Sequence, residues 1–466
     1  MKNNPRTTLR LFPLLLIAAF PPAAKAATQA AAEVLEEIIV TAQKRTERLQ
    51  DVPLSVTAIS GSQLENRGIQ GPTSLSGLAP NVTIKSAQPG AGLIGAVSIR
   101  GIGGGQPGIW SDGAVGLYLD GVYIGKTQGG LLDMLDLERI EVLRGPQGTL
   151  FGKNTEGGAI NFITRKPSGD FGGNVGLDVG NHGQQVLRAA MDLPQIGIMR
   201  LGFSLRDEQR DGTIKNPNGH DWNSRNRQTQ RLTAGFDISP AIKIDYAYDH
   251  SHINETPTAI SLYSPNGYAA LYPSAYIGSI DPIFGMRLRP AMAPYASSSY
   301  PSSIASTPGH DYFTRVDVNG QSLTASWKLS EGSSLKYIGA KRKMQYREAL
   351  DLDGTPVDVF NASKNTNYDT TSHELQWTGQ HDRMHWVTGI YLFRDDGYTL
   401  TDQSGDYFTF GFAPPRERWL YYRTRTNAKA LYGQLDYRLL TDLTATIGLR
   451  RSVEEKRGEV WSTWGP

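Results

Sequence analysis

Histidine is the residue of this sequence best suited to hold a metal ion or to move a proton near neutral pH. His250 and His252 stand two positions apart, so on a β-strand both imidazole rings would lie on one face and could grip one metal ion. Ile242 has the same parity and marks that face as the outward one, where histidines without a ligand are common. His381 and His385 flank a predicted short turn and give no stronger signal. The sequence therefore predicts no metal site.

Catalytic patterns do not stand out either. The sequence has no cysteine, and neither a Ser/His/Asp order nor a close pair of carboxylates is evident. Residues 103–108 match the spacing G-x-G-x-x-G of a dinucleotide-binding loop, but Pro107 lies inside the motif and no helical segment follows. We therefore expect a protein that is not an enzyme and that carries no cofactor.

The composition narrows the classes of protein that remain. The chain of 466 residues holds 47 Lys and Arg against 45 Asp and Glu, which excludes a strongly basic nucleic-acid-binding protein. The lack of cysteine excludes a disulfide scaffold and thiolate zinc sites. A mean hydropathy of −0.37 argues against a helical membrane protein. A membrane β-barrel is compatible with this value, because its strands alternate apolar and polar residues.

Residues 1–26 have the pattern of an export signal. Three basic residues come first, an apolar stretch covers residues 11–20, and residues 24–26 (Ala-Lys-Ala) put small side chains at the −3 and −1 positions of a cleavage site. Cleavage after Ala26 is expected, and the remaining chain would leave the cytoplasm.

A flexible leader is predicted for residues 27–50, with one β-prone run inside it. That run is Glu37-Ile38-Ile39-Val40-Thr41-Ala42. Near a free terminus, such a run can add as an edge strand to the sheet of a partner, because its backbone groups are otherwise unpaired. The alternative is an ordinary first strand of the domain that follows.

Residues 51–166 have the composition of a small domain with tight turns. Ser60 with Gln63, or Ser62 with Glu65, offers a capping box for a short helix that ends near Gly68. Short strands joined by glycine-rich segments are predicted near 52–59, 82–84, 97–100, 115–120, 140–143 and 159–164.

After Pro167 the sequence alternates apolar and polar residues over long segments, as strands that cross a membrane do. Short and long connections alternate between them, which is typical of an outer-membrane barrel with short periplasmic turns and long external loops. A soluble β-sandwich is the alternative, but its strands are shorter. Eleven strands are predicted, near 171–180, 183–193, 198–211, 223–238, 241–254, 316–329, 333–348, 368–379, 384–400, 420–439 and 443–457.

Five motifs resemble, in order, those of the plug domain of TonB-dependent outer-membrane receptors of the iron-complex type. They are Ile99-Arg100-Gly101, Tyr118-Leu119-Asp120-Gly121-Val122, the run from Glu138 to Gly148, Leu150-Phe151-Gly152 and Gly157-Gly158-Ala159-Ile160-Asn161. The run 37–42 resembles the TonB box of the same family. The resemblance marks as plug-motif residues Arg100, Gly101, Asp120, Gly121, Arg139, Glu141, Arg144, Gly145, Pro146, Gly152, Gly157, Gly158 and Asn161.

The resemblance implies a mainly β protein, with a mixed α/β plug (51–166) inside a transmembrane antiparallel β-barrel. About 22 strands are typical of the family, so residues 167–466 are expected to form the N-terminal half of the barrel in an incomplete receptor. The implied function is TonB-dependent uptake of a scarce ligand, most often a ferric siderophore or another iron complex, across the outer membrane. Cobalamin, haem, carbohydrate or a hydrophobic organic compound are alternative ligands, and a passive porin or adhesin is an alternative function.

The implied partners are TonB with its inner-membrane energising complex, the ligand, outer-membrane lipid and the barrel-assembly machinery, and no nucleic acid. Ligand contact is expected in the long segment 255–315, because tyrosine rings offer a large contact area at low entropic cost. A surface loop without this role is the alternative. The candidates are Trp110, Tyr263, Tyr268, Tyr272, Tyr276, Tyr295, Tyr300 and Tyr312.

Overall fold

The computed structural model describes residues 38–69, 75–77, 79–86, 94–103, 108–126, 136–264, 289–405 and 417–464. The predicted export signal, Glu37 and three of the candidate tyrosines, Tyr268, Tyr272 and Tyr276, lie outside these residues. In the described part of the chain, no helix combines the length and the apolar character needed to cross a membrane.

The described chain begins with a small hairpin in which β1 (Ile39–Val40) pairs antiparallel with β2 (Glu47–Arg48). After β3 (Val56–Ser60) follows α1 (Gly61–Asn66). Of the two predicted capping boxes, that of Ser60 and Gln63 is confirmed, since the Ser60 hydroxyl accepts a hydrogen bond from the Gln63 amide and the Gln63 side chain accepts one from the Ser60 amide. This cap fixes the start of the helix.

Apart from the hairpin, two sheets hold β3 and the other described strands of residues 38–166, which we call the plug. The smaller sheet consists of β4 (Val82–Ser86), β5 (Ile94–Ile99) and β6 (Ile102–Gly103). The larger has the order β3-β9-β10-β7-β8, with β7 (Val115–Leu119), β8 (Val122–Tyr123), β9 (Leu137–Arg144) and β10 (Gly158–Thr164). Strands β7 and β10 are parallel, and the other pairs are antiparallel. Their buried apolar side chains form one core, which includes Ile59, Leu64, Ile99, Leu117, Ile140, Ile160 and Phe162.

The second part of the chain is one antiparallel sheet of eleven strands, each paired with the next in sequence, which we call the wall. Its strands are β11 (Gly172–Val179), β12 (Gln185–Asp192), β13 (Met199–Arg210), β14 (Arg225–Ser239), β15 (Ile242–Glu255), β16 (Phe313–Ser330), β17 (Ser333–Asp351), β18 (Asn361–His381), β19 (Met384–Ser404), β20 (Arg418–Leu440) and β21 (Leu443–Trp464). A short helix, α2 (Arg289–Met292), lies between β15 and β16. The eleven predicted strands are confirmed, and one continuous sheet excludes a β-sandwich.

The two largest corrections to the predicted strand boundaries concern β18 and β21. β18 begins at Asn361 instead of near 368, and β21 runs to Trp464 instead of ending near 457. In both places the strand continues because the backbone still pairs with its neighbours. The connection after β17 is therefore only residues 352–360.

The two faces of the wall differ. On β16, Leu323 and Trp327 are exposed on the outward face, whereas Ser322 and Thr324 point inward toward the plug. We call the exposed outward residues the apolar band; it includes Phe203, Leu232, Ile238, Leu323, Trp327, Leu329, Leu375, Trp377, Ile390, Leu392, Leu431, Leu435, Ile447 and Leu449. Such a band fits the lipid-facing surface of a membrane barrel.

The two ends of the wall differ as well. Tight turns at residues 331–332, 382–383 and 441–442 lie at one edge, which we call the turn end. The longer connections lie at the other edge, the loop end. A cavity of about 900 Å³ at the turn end is lined by the hairpin and by residues of these turns. The hairpin therefore lies at the turn end.

Candidate functional site

The turn between β7 and β8 links the plug to the wall. Asp120 and Gly121 both have positive φ, +51° and +82°, which glycine and aspartate tolerate better than most residues. The Asp120 carboxylate accepts hydrogen bonds from the amide and hydroxyl of Thr164, both at 2.9 Å, and pairs with Arg231 of β14 at 2.5 Å. The motif residue Asp120 thus ties two plug strands to the wall.

The β-prone run near the start of the chain is held against the plug. Thr41 donates its amide hydrogen to the fully buried Glu141 at 2.8 Å and its hydroxyl at 3.0 Å. Arg139 orients the same carboxylate at 2.8 Å, and the Asn161 amide donates to the Thr41 hydroxyl at 3.4 Å. The structure therefore brings together residues from the TonB-box-like run and from two plug motifs. Sequence analysis had singled them out separately.

Within this run, Val40 and Ala42 are 0% and 1% exposed, while Ile38 is 40% exposed. Since β1 pairs with β2 of the same chain, the run is the first strand of its own domain in this structure. This was the alternative that the sequence left open. Addition of the run to a partner's sheet remains a prediction.

Lys44 anchors the tip of the hairpin to the wall. Its ammonium group pairs with Glu374 of β18 and lies 5.5 Å and 5.1 Å from the ring centroids of Phe151 and Tyr432. The Tyr432 hydroxyl donates to the same Glu374 carboxylate at 2.6 Å. Sequence analysis missed Glu374, although a carboxylate in the middle of a long strand, on the face opposite to the exposed apolar residues, is a recognisable signal for a functional contact.

Several motif glycines occupy positions that a side chain cannot share. Gly158 has a φ of +145°, and a Cβ there would lie 2.1 Å from the carbonyl oxygen of Leu143 in β9. Gly152 has a φ of +88° and faces the Arg450 guanidinium of β21, and Gly145, at +99°, faces Arg100. Gly152 allows plug and wall to approach closely, whereas Gly158 and Gly145 allow close packing within the plug. The remaining motif residues, Gly101, Arg144, Pro146 and Gly157, lie in or beside the same turns.

At the loop end, the plug presents a tryptophan to the wall. The Trp110 ring is 38% exposed, and its centroid lies 4.7 Å from that of Tyr422 in β20. The preceding residue, Ile109, is fully buried, and its carbonyl accepts a hydrogen bond from Thr424 at 3.3 Å. Its apolar neighbours on the wall are Ile253, Val316, Val318, Met344, Tyr346 and Tyr368. Sequence analysis identified Trp110 but not Tyr422, which comes from a strand more than 300 residues later.

Beside Trp110 lies a group of three charges. Asp112 accepts hydrogen bonds from Lys126 at 2.8 Å and from Lys456 of β21 at 2.7 Å. Burial favours a higher pKa for Asp112, but the two ammonium groups outweigh it and lower the pKa to about 2. At neutral pH the group keeps one positive charge in excess. We call Trp110, Tyr422, Asp112, Lys126 and Lys456 the apex site.

The tyrosines of the long connection differ in their availability. Tyr263, Tyr295 and Tyr300 are 73%, 45% and 58% exposed. Tyr312, in contrast, is buried against Trp222, and its hydroxyl donates to Asn361 at 2.6 Å. In this structure Tyr312 holds the connection together, which argues against a direct role in ligand contact.

A buried carboxylate in connection 352–360 makes the stability of the loop end depend on pH. Asp353 accepts hydrogen bonds from the amide and hydroxyl of Thr355, at 2.9 Å and 2.6 Å, and from the Phe360 amide at 2.9 Å. Burial raises the pKa of Asp353 to about 6, and these hydrogen bonds only partly offset it. The folded chain therefore binds this proton at a higher pH than the unfolded chain does.

Burial and the charge of Asp353 also raise the pKa of the neighbouring Asp351, so the connection loses stability as the pH rises from the ordinary carboxyl range toward neutrality. We expect hydrogen-exchange protection factors of the Thr355 and Phe360 amides to be at least about tenfold lower at pH 7.5 than at pH 5. The variant Asp351→Asn/Asp353→Asn removes this carboxylate and its neighbour, and its protection factors should be equal at both pH values. A variant as sensitive to pH as the natural protein would contradict this account.

The sequence of the plug is similar to that of known proteins. Residues 48–159 match the model of the TonB-dependent receptor plug domain. The pesticin receptor of Yersinia pestis is 30% identical over 210 residues, which cover 45% of this chain and 30% of that protein. The iron-regulated outer membrane virulence protein of Vibrio cholerae is 37% identical over 160 residues, covering 33% and 24%. The matched stretch thus spans less than a third of either relative.

Solved structures share the fold over a longer stretch. The ferric yersiniabactin uptake receptor of Yersinia pestis superposes with a TM-score of 0.65 at 18% identity, covering 88% of this chain and 62% of that one. The ferripyoverdine receptor of the outer membrane of Pseudomonas aeruginosa gives 0.68 at 13% identity, covering 92% and 55%. The chain therefore contains a TonB-dependent receptor plug domain, seated on the inner face of a β-sheet wall that has the fold of these receptors.

Proposed function

We propose that the protein imports a ferric siderophore, or another iron chelate, across the outer membrane in a TonB-dependent process. The observation that carries this proposal is the placement of two features on opposite ends of one plug. The apex site lies at the loop end, and the TonB-box-like run lies at the turn end. A plug with this arrangement can bind a ligand at one end while TonB binds at the other end and exerts force on it.

The chemistry of the apex site suits an anionic organic chelate. The exposed face of Trp110 and the Tyr422 ring offer aromatic contact area, and the excess positive charge of Lys126 and Lys456 favours an anion. The names of the relatives, which include receptors for yersiniabactin and pyoverdine iron complexes, support the same ligand class.

At the other end, we propose that residues 37–42 pair with TonB as an extended strand. To do so, Thr41 has to leave Glu141, and β1 has to leave β2. The proposal includes cleavage of the export signal after Ala26, insertion by the barrel-assembly machinery, and contact of the apolar band with outer-membrane lipid.

Uptake of radiolabelled ferric siderophores tests the proposal. In the natural host, deletion of the gene should abolish uptake of at least one chelate from a chemically diverse panel under iron limitation. A protonophore should stop uptake in wild-type cells and leave binding at the cell surface unchanged. Uptake of every chelate by the deletion strain would overturn the iron proposal. Loss of cobalamin or haem uptake instead would assign the transporter to that ligand.

The apex site gives a second measurable outcome. Trp110→Ala removes the exposed ring and should weaken surface binding of the chelate by about tenfold. Trp419→Ala is the matched control, because Trp419 is 41% exposed on the outward face of β20, away from the plug. Equal binding constants for Trp110→Ala and wild-type cells would show that the ligand binds elsewhere. The exposed tyrosines 263, 295 and 300 would then be the first candidates.

A further inference from the structure

A tight turn of the plug, residues 108–111, carries the tryptophan of the apex site; we call it the apex turn. The Ser111 amide donates a hydrogen bond to the Gly108 carbonyl oxygen at 3.1 Å, so Ile109 and Trp110 are the two central residues of the turn. Ile109 is fully buried, whereas Trp110 is 38% exposed. The turn therefore buries one side chain against the wall and leaves the other available at the loop end.

Contacts with the wall fix the place of the apex turn. Ile109 belongs to an apolar cluster whose other members come from four neighbouring strands, β15 to β18. Thr424 of β20 donates its hydroxyl hydrogen to the Ile109 carbonyl oxygen at 3.3 Å. On the plug side, the Lys126 ammonium donates to the Ser111 carbonyl oxygen at 2.7 Å. The backbone of the turn thus has partners in both parts of the chain.

Gly108 leaves the space that the indole ring of Trp110 occupies. A Cβ at Gly108 would lie 2.3 Å, 2.4 Å and 2.7 Å from the Cε2, Cζ2 and Cδ2 atoms of Trp110. The ring also contacts Tyr422 of β20, with the two planes inclined at 34°. Since the closest atoms all belong to a partly exposed ring, a methyl group at position 108 would displace this ring and leave the buried cluster around Ile109 in place.

We propose that Gly108, Ile109 and Thr424 are positioning residues of the ligand site, which hold the Trp110 ring against Tyr422 with one face free for the ligand. This inference rests on the proposed function, because it takes Trp110 as a contact of the ligand. The wall contributes as much as the plug, since strands β15 to β18 and β20 hold Ile109 and its carbonyl oxygen. The aromatic contact is then a property of the plug in its seated position.

The position of the ring is measured first, without a ligand. The natural gene product is labelled with fluorotryptophan, purified from outer membranes in detergent and studied by fluorine NMR, and the Trp110 resonance is the one that Trp110→Phe removes. Gly108→Ala should shift this resonance by more than its line width, because the ring has to leave its place. An unshifted resonance in this variant would overturn the role given to Gly108.

Gly113→Ala is the matched control for this measurement. A Cβ at Gly113 would lie 3.7 Å from the Val115 carbonyl oxygen, which is an ordinary contact distance, so the Trp110 resonance should stay in place. Gly113 follows the apex turn closely in sequence, and the control therefore separates displacement of the ring from a general disturbance of this part of the plug.

Binding of a ferric chelate shows whether the position of the ring matters to the ligand. The probe is the radiolabelled chelate whose uptake is lost on gene deletion, bound to whole cells at equal receptor levels. Gly108→Ala should weaken binding by about tenfold, as Trp110→Ala does, and Gly113→Ala by less than about twofold. Added to Trp110→Ala, Gly108→Ala should change the affinity by less than about twofold, because the side chain through which it acts is already absent.

The contribution of the wall is tested in the same way. Thr424→Val keeps the shape of the side chain and removes the hydroxyl donor; it should weaken binding by about threefold, but only where Trp110 is present. Additive losses in Gly108→Ala/Trp110→Ala and in Thr424→Val/Trp110→Ala would overturn the proposal. If no chelate depends on the gene, the proposed function is wrong, whereas the NMR measurement decides by itself whether these residues position the ring.

Discussion

Replacement of Ile39 by proline is expected to abolish chelate uptake and to leave binding at the cell surface intact. Proline fixes φ and removes a backbone hydrogen-bond donor from β1, so the run can no longer pair as a strand with TonB. The apex site lies at the opposite end of the wall and keeps its contacts. Uptake and binding of the same radiolabelled chelate, measured on the same cells, give the two quantities.

The control for this experiment is Ile39→Val, which keeps the extended backbone and should transport normally. Proline also disturbs the pairing of Ile39 with Arg48, so the amount of receptor at the surface has to be shown equal. Transport by Ile39→Pro at the wild-type rate would contradict the assignment of residues 37–42 as the TonB box. Loss of both binding and transport would indicate a folding defect instead.

Gly158→Ala is expected to prevent the plug from folding. The new Cβ would lie 2.1 Å from the Leu143 carbonyl oxygen and 3.0 Å from the Ile99 side chain, and the φ of +145° is unfavourable for alanine. Strand β10 pairs with both β9 and β7 from this residue onward, so the clash opens the centre of the larger sheet. A destabilisation of about 3 kcal/mol or more is expected.

A receptor with an unfolded plug should admit molecules that the receptor with a folded plug excludes. We expect cells with Gly158→Ala to become sensitive to a large antibiotic that does not normally cross the outer membrane. Gly148→Ala is the matched control, since a Cβ at Gly148 meets nothing within 4 Å, and it should behave like the wild type. Equal resistance of all three strains, at equal receptor levels, would contradict the structural role given to Gly158.

The wall could be predicted from sequence because its signal is local. Alternation of apolar and polar residues reports which strands cross the apolar band, and it does so strand by strand. The alternation is absent where a strand extends beyond the apolar band, because both of its faces then carry polar residues. Residues 361–367 are almost all polar, so the start of β18 could not be located, although the backbone pairing with β17 continues through them.

The contacts between plug and wall could not be predicted in this way. Glu374, Arg231 and Tyr422 meet plug residues that are 330, 111 and about 310 positions away, and alternation gives the face of a strand but not its register against the plug. The plug motifs themselves were found through a resemblance. The structure shows what their residues do; Asp120, for example, forms an ion pair with Arg231 of the wall.

The hairpin was ambiguous for a related reason. β2 is only two residues long and follows a polar stretch, so it has no periodic pattern of its own. Pairing of the run 37–42 inside the chain requires β2, and the sequence does not predict β2. The sequence therefore could not show whether the run is paired or free. The buried Glu141, which holds Thr41, lies 100 residues further on.

The anchor at Lys44 has a mechanical consequence. A pull on the chain ahead of Ile39 loads the antiparallel pair β1–β2 at one end, so its few hydrogen bonds open one after another under a small force. Lys44 lies in the connection between the two strands and is tied to Glu374 of the wall. Tension therefore acts first on Thr41, which Glu141 of β9 holds, and then on Lys44, which Glu374 of β18 holds. These two contacts, one to the larger sheet of the plug and one to the wall, together set the load at which the plug first moves.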